Sequence, residues 1–369
     1  MATRICHVTS LHPAFDVRIF HKECTSLAKL FDTTLIAPNV DDQERNGVHI
    51  KGVNLPASRL RRLLCLRRVY RKMEEVDAEI YHLHDPELIP LGIKIKKEKG
   101  KTIVFDSHED VAVQIAEKEW LPRWVRMPLQ SLYSRYERKA LKKYSALVTV
   151  TPSIVERLTA INPNTRMVTN YPVYRERNDN REFGNSVCFA GGIAAQWMHE
   201  EILDAIAPLD VHYLLAGTVD STSYLGRLKS KDAWRKVTFY GKVPHDKVFE
   251  IMDKSVAGMV LNDYMANVGY HAGSLGNTKL FETMMEGIPV VATNFTLWQD
   301  VIDRWQCGIC VDPHDISAIT QAISRLLKDP DLARQMGDNG RRAVKEKYNW
   351  ASQETVLIDL YKSMVDNRL

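Results

Sequence analysis

The chain has 369 residues, 45% of them hydrophobic and 26% charged, which is typical of a globular protein long enough for two domains. No apolar run reaches the roughly 18 residues that a membrane span needs, and the first residues lack the apolar core of a signal peptide. The six cysteines follow no disulfide spacing, so we expect a reducing, cytoplasmic location. A net charge of only +4 and the lack of a nucleic-acid-binding motif argue against an RNA or DNA partner.

Charge is unevenly distributed along the chain. The first 170 residues carry 28 Lys and Arg against 20 Asp and Glu, whereas the remainder is acidic. A basic first half and an acidic second half indicate different roles for the two halves.

Short apolar runs alternate with amphipathic stretches along both halves of the chain. The runs predict strands at 5–9, 33–37, 48–53, 80–84, 102–106, 147–151, 187–190, 211–216, 237–240, 257–261, 289–293 and 308–311. Helical patterns lie between them, for example at 19–30, 88–99 and 129–143. This alternation predicts an α/β protein of two doubly wound, Rossmann-like domains that face each other across a cleft. The polar stretch 171–184 is the predicted linker, so the domains are predicted at 1–170 and 185–349.

Ligands of open parallel sheets bind beyond the carboxyl ends of the strands, so polar residues at strand ends are candidate site residues. The first cluster is "TSLHPAFDVRIFHKE", which contains His12, Asp16 and Arg18 after the first strand. A ligand role and a structural role both remain open here. In the structural alternative, Asp16 caps the next helix and Arg18 is exposed.

Two further clusters end strands in the first half. "YHLHDPE" contains His82 and His84, which could bind a metal, although their alternation also fits one face of a strand that leads into a helix. "VFDSHEDVAVQ" contains His108 and Glu109, which could hydrogen-bond sugar hydroxyls. We expect the second of these clusters to be functional and expect no metal site.

The stretch "SLGNTKLFETMMEGIPVVATN" combines a helix start, a helix, a turn and a strand. Thr278 can cap the helix, and free backbone N–H groups with Lys279 would then form an anion site. Glu282 could accept two hydrogen bonds from a ribose diol. An anion site with a diol acceptor describes a nucleotide diphosphate, although a capped amphipathic helix with a surface glutamate remains the alternative.

These four segments, in this order and followed by "YNWA" before a final helix, resemble the family 4 glycosyltransferases of the GT-B fold. The resemblance covers nearly the whole chain. It implies a retaining transferase that moves a sugar from a nucleotide sugar, UDP- or GDP-linked, to a glycan or lipid-linked acceptor. It also implies that no metal or other cofactor is needed, and that a final helix at 350–369 crosses back to the first domain.

The resemblance also assigns roles to individual residues. It places Glu282 on the ribose, the backbone of 276–280 on the phosphates, and His108 beside the transferred sugar. The implied donor-binding residues are Glu282, Lys279, Thr278, Asn277, Leu280, Gly191, Gly192, Lys242 and Val243. The implied catalytic residues are His108, Asp16 and Arg18, and the implied acceptor or sugar contacts are His12, Glu109, His84 and Trp197.

Two positions depart from the family pattern. Ser274 stands where members often have a glutamate, and 195–198 reads Ala-Gln-Trp-Met where they often have cations that hold the diphosphate. Either Lys279, Lys242 or Arg18 replaces these cations, or donor binding is weak. Trp197 stacks on the donor or packs in the core.

The basic first half contains two stretches in which cations alternate with apolar and aromatic residues, at 58–75 and 117–143. They resemble surfaces that lie on anionic membrane, so we expect the protein in the cytoplasm or peripherally on the inner face of the cell membrane. Solvated arginines on packed helices are the alternative. Two other functions stay open, a sugar-nucleotide 2-epimerase and a degenerate member that binds a nucleotide or a partner without catalysis.

Overall fold

The computed structural model describes residues 2–107, 111–117, 122–176, 184–265 and 268–366. The chain divides into two compact units, Met1–Asn170 with Ala351–Leu369 (unit 1) and Tyr171–Trp350 (unit 2). The predicted linker at 171–184 begins in unit 2, and its residues 177–183 lie outside the described part of the chain.

Unit 1 is built on an eight-stranded sheet with the order β3-β4-β2-β1-β5-β6-β7-β8. Its strands are β1 (Arg4–Val8), β2 (Asp32–Pro38), β3 (Gln43–Arg45), β4 (Val48–Val53), β5 (Ile80–Leu83), β6 (Thr102–Ser107), β7 (Ala146–Thr149) and β8 (Thr165–Met167). All neighbouring strands pair in parallel except the edge strand β3, which is antiparallel to β4. Strands β1, β2, β5, β6 and β7 are buried over most of their length, as expected for a parallel sheet covered by helices on both faces.

The helices of unit 1 begin with a π-helix at Ile19–Cys24, which continues into α1. The α-helices are α1 (Thr25–Leu27), α2 (Arg59–Leu64), α3 (Leu66–Val76), α4 (Ile89–Lys99), α5 (Val111–Glu117), α6 (Arg123–Leu141) and α7 (Pro152–Thr159). A short 3-10 helix at Pro86–Leu88 precedes α4.

Unit 2 has a six-stranded parallel sheet with the order β11-β10-β9-β12-β13-β14, which is the strand order of a Rossmann fold. Its strands are β9 (Ser186–Ala190), β10 (His212–Ala216), β11 (Val237–Gly241), β12 (Ala257–Val260), β13 (Val290–Thr293) and β14 (Gly308–Val311). The order of connection reverses between β9 and β12. A ligand site is expected beyond the carboxyl ends of the strands at this point.

The α-helices of unit 2 flank this sheet. They are α8 (His199–Ile206), α9 (Thr222–Ser230), α10 (His245–Asp253), α11 (Thr278–Met285), α12 (Thr296–Trp305), α13 (Ile316–Lys328) and α14 (Pro330–Glu346). The last helix of the chain, α15 (Trp350–Asp366), belongs to unit 1 from Ala351 onward. Short 3-10 helices lie at Ala195–Trp197, Asp232–Lys236 and Tyr270–Ala272.

The C-terminal helix α15 packs in unit 1 from Ala351 onward. The backbone N–H of Thr169 donates to Gln353 Oε1 at 2.8 Å, and the Tyr361 hydroxyl lies 2.8 Å from His82 Nδ1. Tyr361 is fully buried. This helix therefore closes the core of unit 1 with residues from the far end of the chain.

The twelve predicted strands are all present, with ends that differ by up to two residues. Two short strands were not predicted, Gln43–Arg45 and Thr165–Met167, because neither carries an apolar period. The helical pattern predicted at 19–30 is confirmed for 19–27, where residues 19–24 form a π-helix and residues 25–27 an α-helix. Five of the six residues of the π-helix are buried. No helix within the described residues is long and apolar enough to cross a membrane.

Candidate functional site

A cavity of about 320 Å³ lies in unit 2 at the carboxyl ends of β9, β10 and β11, beside the start of α11. Its lining residues are Ala190, Gly191, Ala216, Gly217, Thr218, Lys242, Val243, Val248, Thr278, Lys279 and Glu282. Six residues predicted to bind the donor are among them, Gly191, Lys242, Val243, Thr278, Lys279 and Glu282. The structure thus brings these six residues together at the switch point of the sheet, where the Rossmann order places a ligand.

Glycines at the ends of neighbouring strands form the floor of this cavity. Gly191 follows β9 with a φ of 157°, and Gly217 follows β10 with a φ of 148°. The Gly217 N–H donates to the carbonyl oxygen of Gly241 at 2.8 Å, and a Cβ on Gly217 would overlap the carbonyl group of Gly191. Only glycine permits this close backbone contact, which keeps the cavity open beneath a ligand.

Lys279 is the cation most deeply placed in the cavity. Its Nζ lies 3.9 Å from the centroid of the Trp197 ring, within cation–π range. A Cβ on Gly191 would overlap the end of the Lys279 side chain, so the lysine can adopt this position only because residue 191 has no side chain. Burial lowers the pKa of Lys279, and the nearby Glu282 carboxylate partly offsets that effect. The ammonium is therefore partly desolvated, and an anion beside it would be held more strongly than at the surface.

The prediction that Thr278 caps α11 is wrong. The N-cap is Asn277, whose Oδ1 accepts a hydrogen bond from the Lys279 N–H at 3.0 Å. The Gly276 N–H donates to Ser274 Oγ at 3.1 Å. Two of the backbone donors expected for phosphate are thus engaged within the loop, because short polar side chains compete for them.

Three residues predicted to bind the donor do not line the cavity, and neither does Trp197. Gly192 lies beside it, Asn277 caps α11, and Leu280 and Trp197 are buried in the core of unit 2. Met198 is buried next to Trp197. Core packing therefore occupies the positions at which family members often carry phosphate-binding cations.

Five lining residues were missed by the sequence predictions, namely Ala190, Ala216, Gly217, Thr218 and Val248. A repeated sequence pattern could have identified Ala190, Ala216, Gly217 and Thr218. "AGT" at 216–218 ends β10 just as "AGG" at 190–192 ends β9, so the same small-residue turn occurs at two adjacent strand ends.

A second, smaller cavity of about 170 Å³ lies in unit 1 beyond the carboxyl ends of β1, β5 and β6. Its lining residues are Leu11, His12, His84, Asp85, Pro86, Phe105, Asp106, Ser107 and Val111. It thereby groups two residues predicted to bind acceptor or sugar, His12 and His84. The predicted residues His108 and Glu109 lie outside the described part of the chain.

Arg18, which was predicted to be catalytic or to replace the phosphate-binding cations, is held by internal ion pairs. Its side chain is only 5% exposed, and Nε and Nη2 donate to both oxygens of Asp106 at 2.9 to 3.2 Å. Its Nη1 donates to the Val168 carbonyl oxygen at 2.7 Å, and Nε lies 3.0 Å from Glu23 Oε1. Although burial lowers the pKa of Arg18, the Asp106 and Glu23 carboxylates raise it further, so the guanidinium stays charged as an internal ion-pair partner.

Asp16 has the structural role that the sequence left open. Its Oδ1 accepts hydrogen bonds from the N–H groups of Arg18 and Ile19, at 2.8 and 2.9 Å, at the start of the π-helix. Its Oδ2 lies 3.7 Å from His12 Nδ1. The neighbouring Asp16 carboxylate raises the pKa of His12, which therefore carries positive charge to a higher pH than an isolated histidine.

Two family models match consecutive parts of the chain. The model described as Glycosyltransferase Family 4 matches residues 17–172, and the one described as Glycosyl transferases group 1 matches residues 171–343. These matches cover most of unit 1 and most of unit 2, respectively.

Curated relatives match over shorter stretches. The MMP alpha-(1->4)-mannosyltransferase of Mycolicibacterium hassiacum is 32% identical over 85 residues, 23% of this chain and 21% of the relative. The capsular polysaccharide biosynthesis glycosyltransferase CapM of Staphylococcus aureus is 32% identical over 79 residues, 21% of this chain and 20% of the relative. The chain thus spans about a fifth of the length of these two relatives.

Solved structures match over the whole chain. A sucrose-phosphate synthase from Thermosynechococcus elongatus has a TM-score of 0.74 at 16% identity, covering 99% of this chain and 100% of that one. HepE from Anabaena, solved in complex with UDP-glucose, has a TM-score of 0.72 at 12% identity, covering 98% and 99%. At these identities the similarity shows a shared fold.

Proposed function

Because the chain belongs to the family 4 glycosyltransferases of the GT-B fold, we propose that it transfers a sugar, with retention, from a nucleotide sugar to a glycan or lipid-linked acceptor. The observation that carries the proposal is the cavity of unit 2, which places Lys242, Lys279 and Glu282 around a glycine floor. We assign the reaction to polysaccharide or glycolipid assembly.

In this proposal the donor diphosphate lies against Lys279 and Lys242, beside the first residues of α11. A volume of about 320 Å³ is at the lower end of the range for small-ligand sites, and the lining contains two lysines and a carboxylate. Glu282 accepts hydrogen bonds from the ribose hydroxyls. The UDP-glucose complex of HepE supports a nucleotide sugar as donor, with UDP preferred over GDP for the first test.

Bond cleavage leaves negative charge on the diphosphate, and a fixed cation in a partly desolvated site stabilises that charge more in the transition state than in the ground state. Lys279 is suited to this role because it is half-buried and its ammonium lies within cation–π distance of the Phe189 and Trp197 rings. The acceptor hydroxyl attacks from the same face and passes its proton to a leaving phosphate oxygen, while His108 orients the sugar. The diphosphate charge is held by protein cations and needs no metal in this mechanism.

The acceptor is proposed to be delivered at an anionic membrane, on its cytoplasmic side, by unit 1. On α2, Leu60 and Leu64 are 76% and 85% exposed, and on α6 Trp124 and Leu132 are 79% and 67% exposed. Exposed arginines accompany them on the same helices, at Arg61, Arg123, Arg135 and Arg138. Apolar anchors flanked by cations are typical of surfaces that bind anionic lipid. Arg62 does not take part, because it is buried in an ion pair with Glu87.

The test measures thermal stability with UDP, GDP, ADP and dTDP and their common sugars, and then product formation with and without a glycan or lipid-linked acceptor panel. One nucleotide should raise the melting temperature by several degrees, and product should require the acceptor. Product without acceptor, with an inverted sugar carbon, would indicate the epimerase. Binding without product across the panel would indicate a non-catalytic binder and would contradict the proposal.

A further inference from the structure

Four ionisable side chains of unit 1, His7, Glu23, His82 and His84, meet in one buried cluster. Three are fully buried and His84 is 2% exposed. One candidate ligand atom from each lies within 4.8 Å of the other three. The cluster lies in unit 1, whereas the proposed nucleotide site is the cavity of unit 2 lined by Lys279 and Glu282, and the proposed transfer reaction makes no use of His7, Glu23 or His82.

The four residues come from three elements that the fold brings together. His7 lies on β1, His82 lies on the adjacent strand β5, and His84 follows the end of β5. Glu23 lies on the π-helix at Ile19–Cys24. π-helices are rare and occur frequently at functional sites, and here the widened turn contributes to the burial of a carboxylate facing two histidines.

Three of the ligand atoms form a triangle whose dimensions suit a metal ion. His7 Nδ1 and His84 Nε2 are 2.9 Å apart, and Glu23 Oε2 lies 3.8 and 3.9 Å from these two nitrogens. The point in the plane of the three atoms that is equidistant from them is about 2.1 Å from each atom. This is the bond length of Zn²⁺ to imidazole nitrogen and carboxylate oxygen.

The fourth ligand atom is His82 Nε2. Within the described part of the chain, His82 Nε2 and Glu23 Oε2 are buried side-chain atoms without a hydrogen-bond partner. Buried polar atoms without partners are destabilising and therefore rare in native proteins. A cation bound between them would satisfy both atoms at once.

Each of the four residues also has a neighbour on the side that faces away from the proposed ion. His82 Nδ1 lies 2.8 Å and His7 Nε2 lies 3.4 Å from the Tyr361 hydroxyl, while His84 Nδ1 lies 3.6 Å from Asp106 Oδ2. Glu23 Oε1 lies 3.0 Å from Arg18 Nε. Metal-binding histidines generally contact an oxygen through the second ring nitrogen, which fixes the ring and its tautomer.

We propose that unit 1 binds one Zn²⁺ through His7 Nδ1, His82 Nε2, His84 Nε2 and Glu23 Oε2. Three imidazoles and a carboxylate suit Zn²⁺, and four protein ligands in a closed, buried site are the arrangement of structural zinc. The ion links β1, β5 and the π-helix. It also fixes the ring of His84, which forms part of the wall of the smaller cavity.

The first experiment measures metal content by mass spectrometry on untagged full-length protein purified without chelator, and again after chelation and titration with Zn²⁺. Wild type should contain about one Zn²⁺ per chain and take it up again after removal. Glu23→Gln and His82→Gln should each lose more than about nine-tenths of the bound zinc at equal free zinc.

The matched control is His199→Gln in unit 2. His199 is also fully buried, its Nδ1 also lies 2.9 Å from a tyrosine hydroxyl, that of Tyr213, and its Nε2 also lacks a partner among the described residues. No ligand cluster among the described residues includes it, so this variant should keep wild-type zinc content. Equal loss of zinc in the control would contradict the assignment.

Cobalt substitution of the wild type keeps the test independent of variant folding. Co²⁺ bound at the proposed site should show the intense visible bands of four-coordinate cobalt without a thiolate charge-transfer band. A six-coordinate or thiolate spectrum would contradict the proposed ligands. The proposal would also be overturned if wild type holds no zinc as purified and takes up none from micromolar Zn²⁺. These readouts do not depend on glycosyl transfer.

Discussion

The ammonium nitrogen of Lys279 lies 3.9 Å from the centroid of the Trp197 ring, in the cavity of unit 2. Trp197 is itself held in the core of unit 2, so the ring is a fixed support for the cation. Where family members often place cations after the glycine turn, this chain places an aromatic ring that orients a lysine from a different element. Lys279 is therefore positioned to replace the cations that are missing at 195–198, as the sequence suggested.

Lys279→Met should weaken UDP binding by about 10- to 100-fold and leave uridine binding nearly unchanged, since the lysine faces phosphate in the proposed mode. Methionine keeps the packing on Trp197 and removes the charge. Titration calorimetry with the two ligands measures both affinities. Because burial lowers the pKa of Lys279, the UDP affinity of wild type should decline with rising pH earlier than an ordinary lysine would allow. Equal loss for UDP and uridine would contradict the phosphate role.

Glu282→Ala should reduce kcat/KM about 100-fold because two charge-assisted hydrogen bonds to the ribose are lost. The matched control is Glu250→Ala, a glutamate on α10 whose partner Lys247 is exposed. Its activity and stability should be close to wild type. Turnover at the wild-type rate in Glu282→Ala would remove the main support for the ribose assignment.

Gly217→Ala should destabilise unit 2 by about 1 to 3 kcal/mol and abolish nucleotide binding, because the new methyl group overlaps the Gly191 carbonyl group. The control is Gly226→Ala in α9, where a Cβ meets nothing within 4 Å. That change should stabilise the helix by about 0.5 to 1 kcal/mol. Denaturant unfolding followed by tryptophan fluorescence measures both. Unchanged UDP affinity in Gly217→Ala would show that the strand-end contact is dispensable.

Arg18→Met should destabilise unit 1 by about 3 kcal/mol, because it leaves the Asp106 and Glu23 carboxylates buried without their cation. Arg227→Met, which removes an exposed pair with Glu200, should cost less than about 1 kcal/mol. Urea unfolding separates the two variants. A stable Arg18→Met protein that lacks activity would instead support the catalytic role that the sequence predicted.

His199 should make unit 2 sensitive to acid. Burial lowers the pKa of His199 to about 3, so the unfolded chain binds a proton near pH 6.5 that the folded chain excludes. Stability from this residue is therefore present above about pH 6.5 and is lost as pH falls toward 3, by up to about 1.4 kcal/mol per pH unit. Unfolding free energies of wild type and His199→Gln between pH 7 and 4 measure the difference. Parallel curves for the two proteins would show that His199 takes no part.

Most strands of the fold could be predicted from the local pattern of apolar and polar residues. The apolar runs of parallel strands are long enough to be recognised singly, and their alternation with helical periods implies parallel sheets. The edge strand at Gln43–Arg45 did not follow, because it is entirely exposed and exists only through its pairing with β4. The π-helix did not follow either, since its buried polar residues are held by partners from distant strands.

For the site, the sequence by itself determined which chemical groups end the strands, because position along a parallel strand fixes which edge of the sheet a residue reaches. It could not determine which of those groups stay free for a ligand. The tertiary structure turned Arg18 inward to Asp106, across 88 positions of sequence, and placed His7 beside His84 and Tyr361. Burial and ion pairing depend on contacts between residues far apart in the chain, and local sequence carries no record of them.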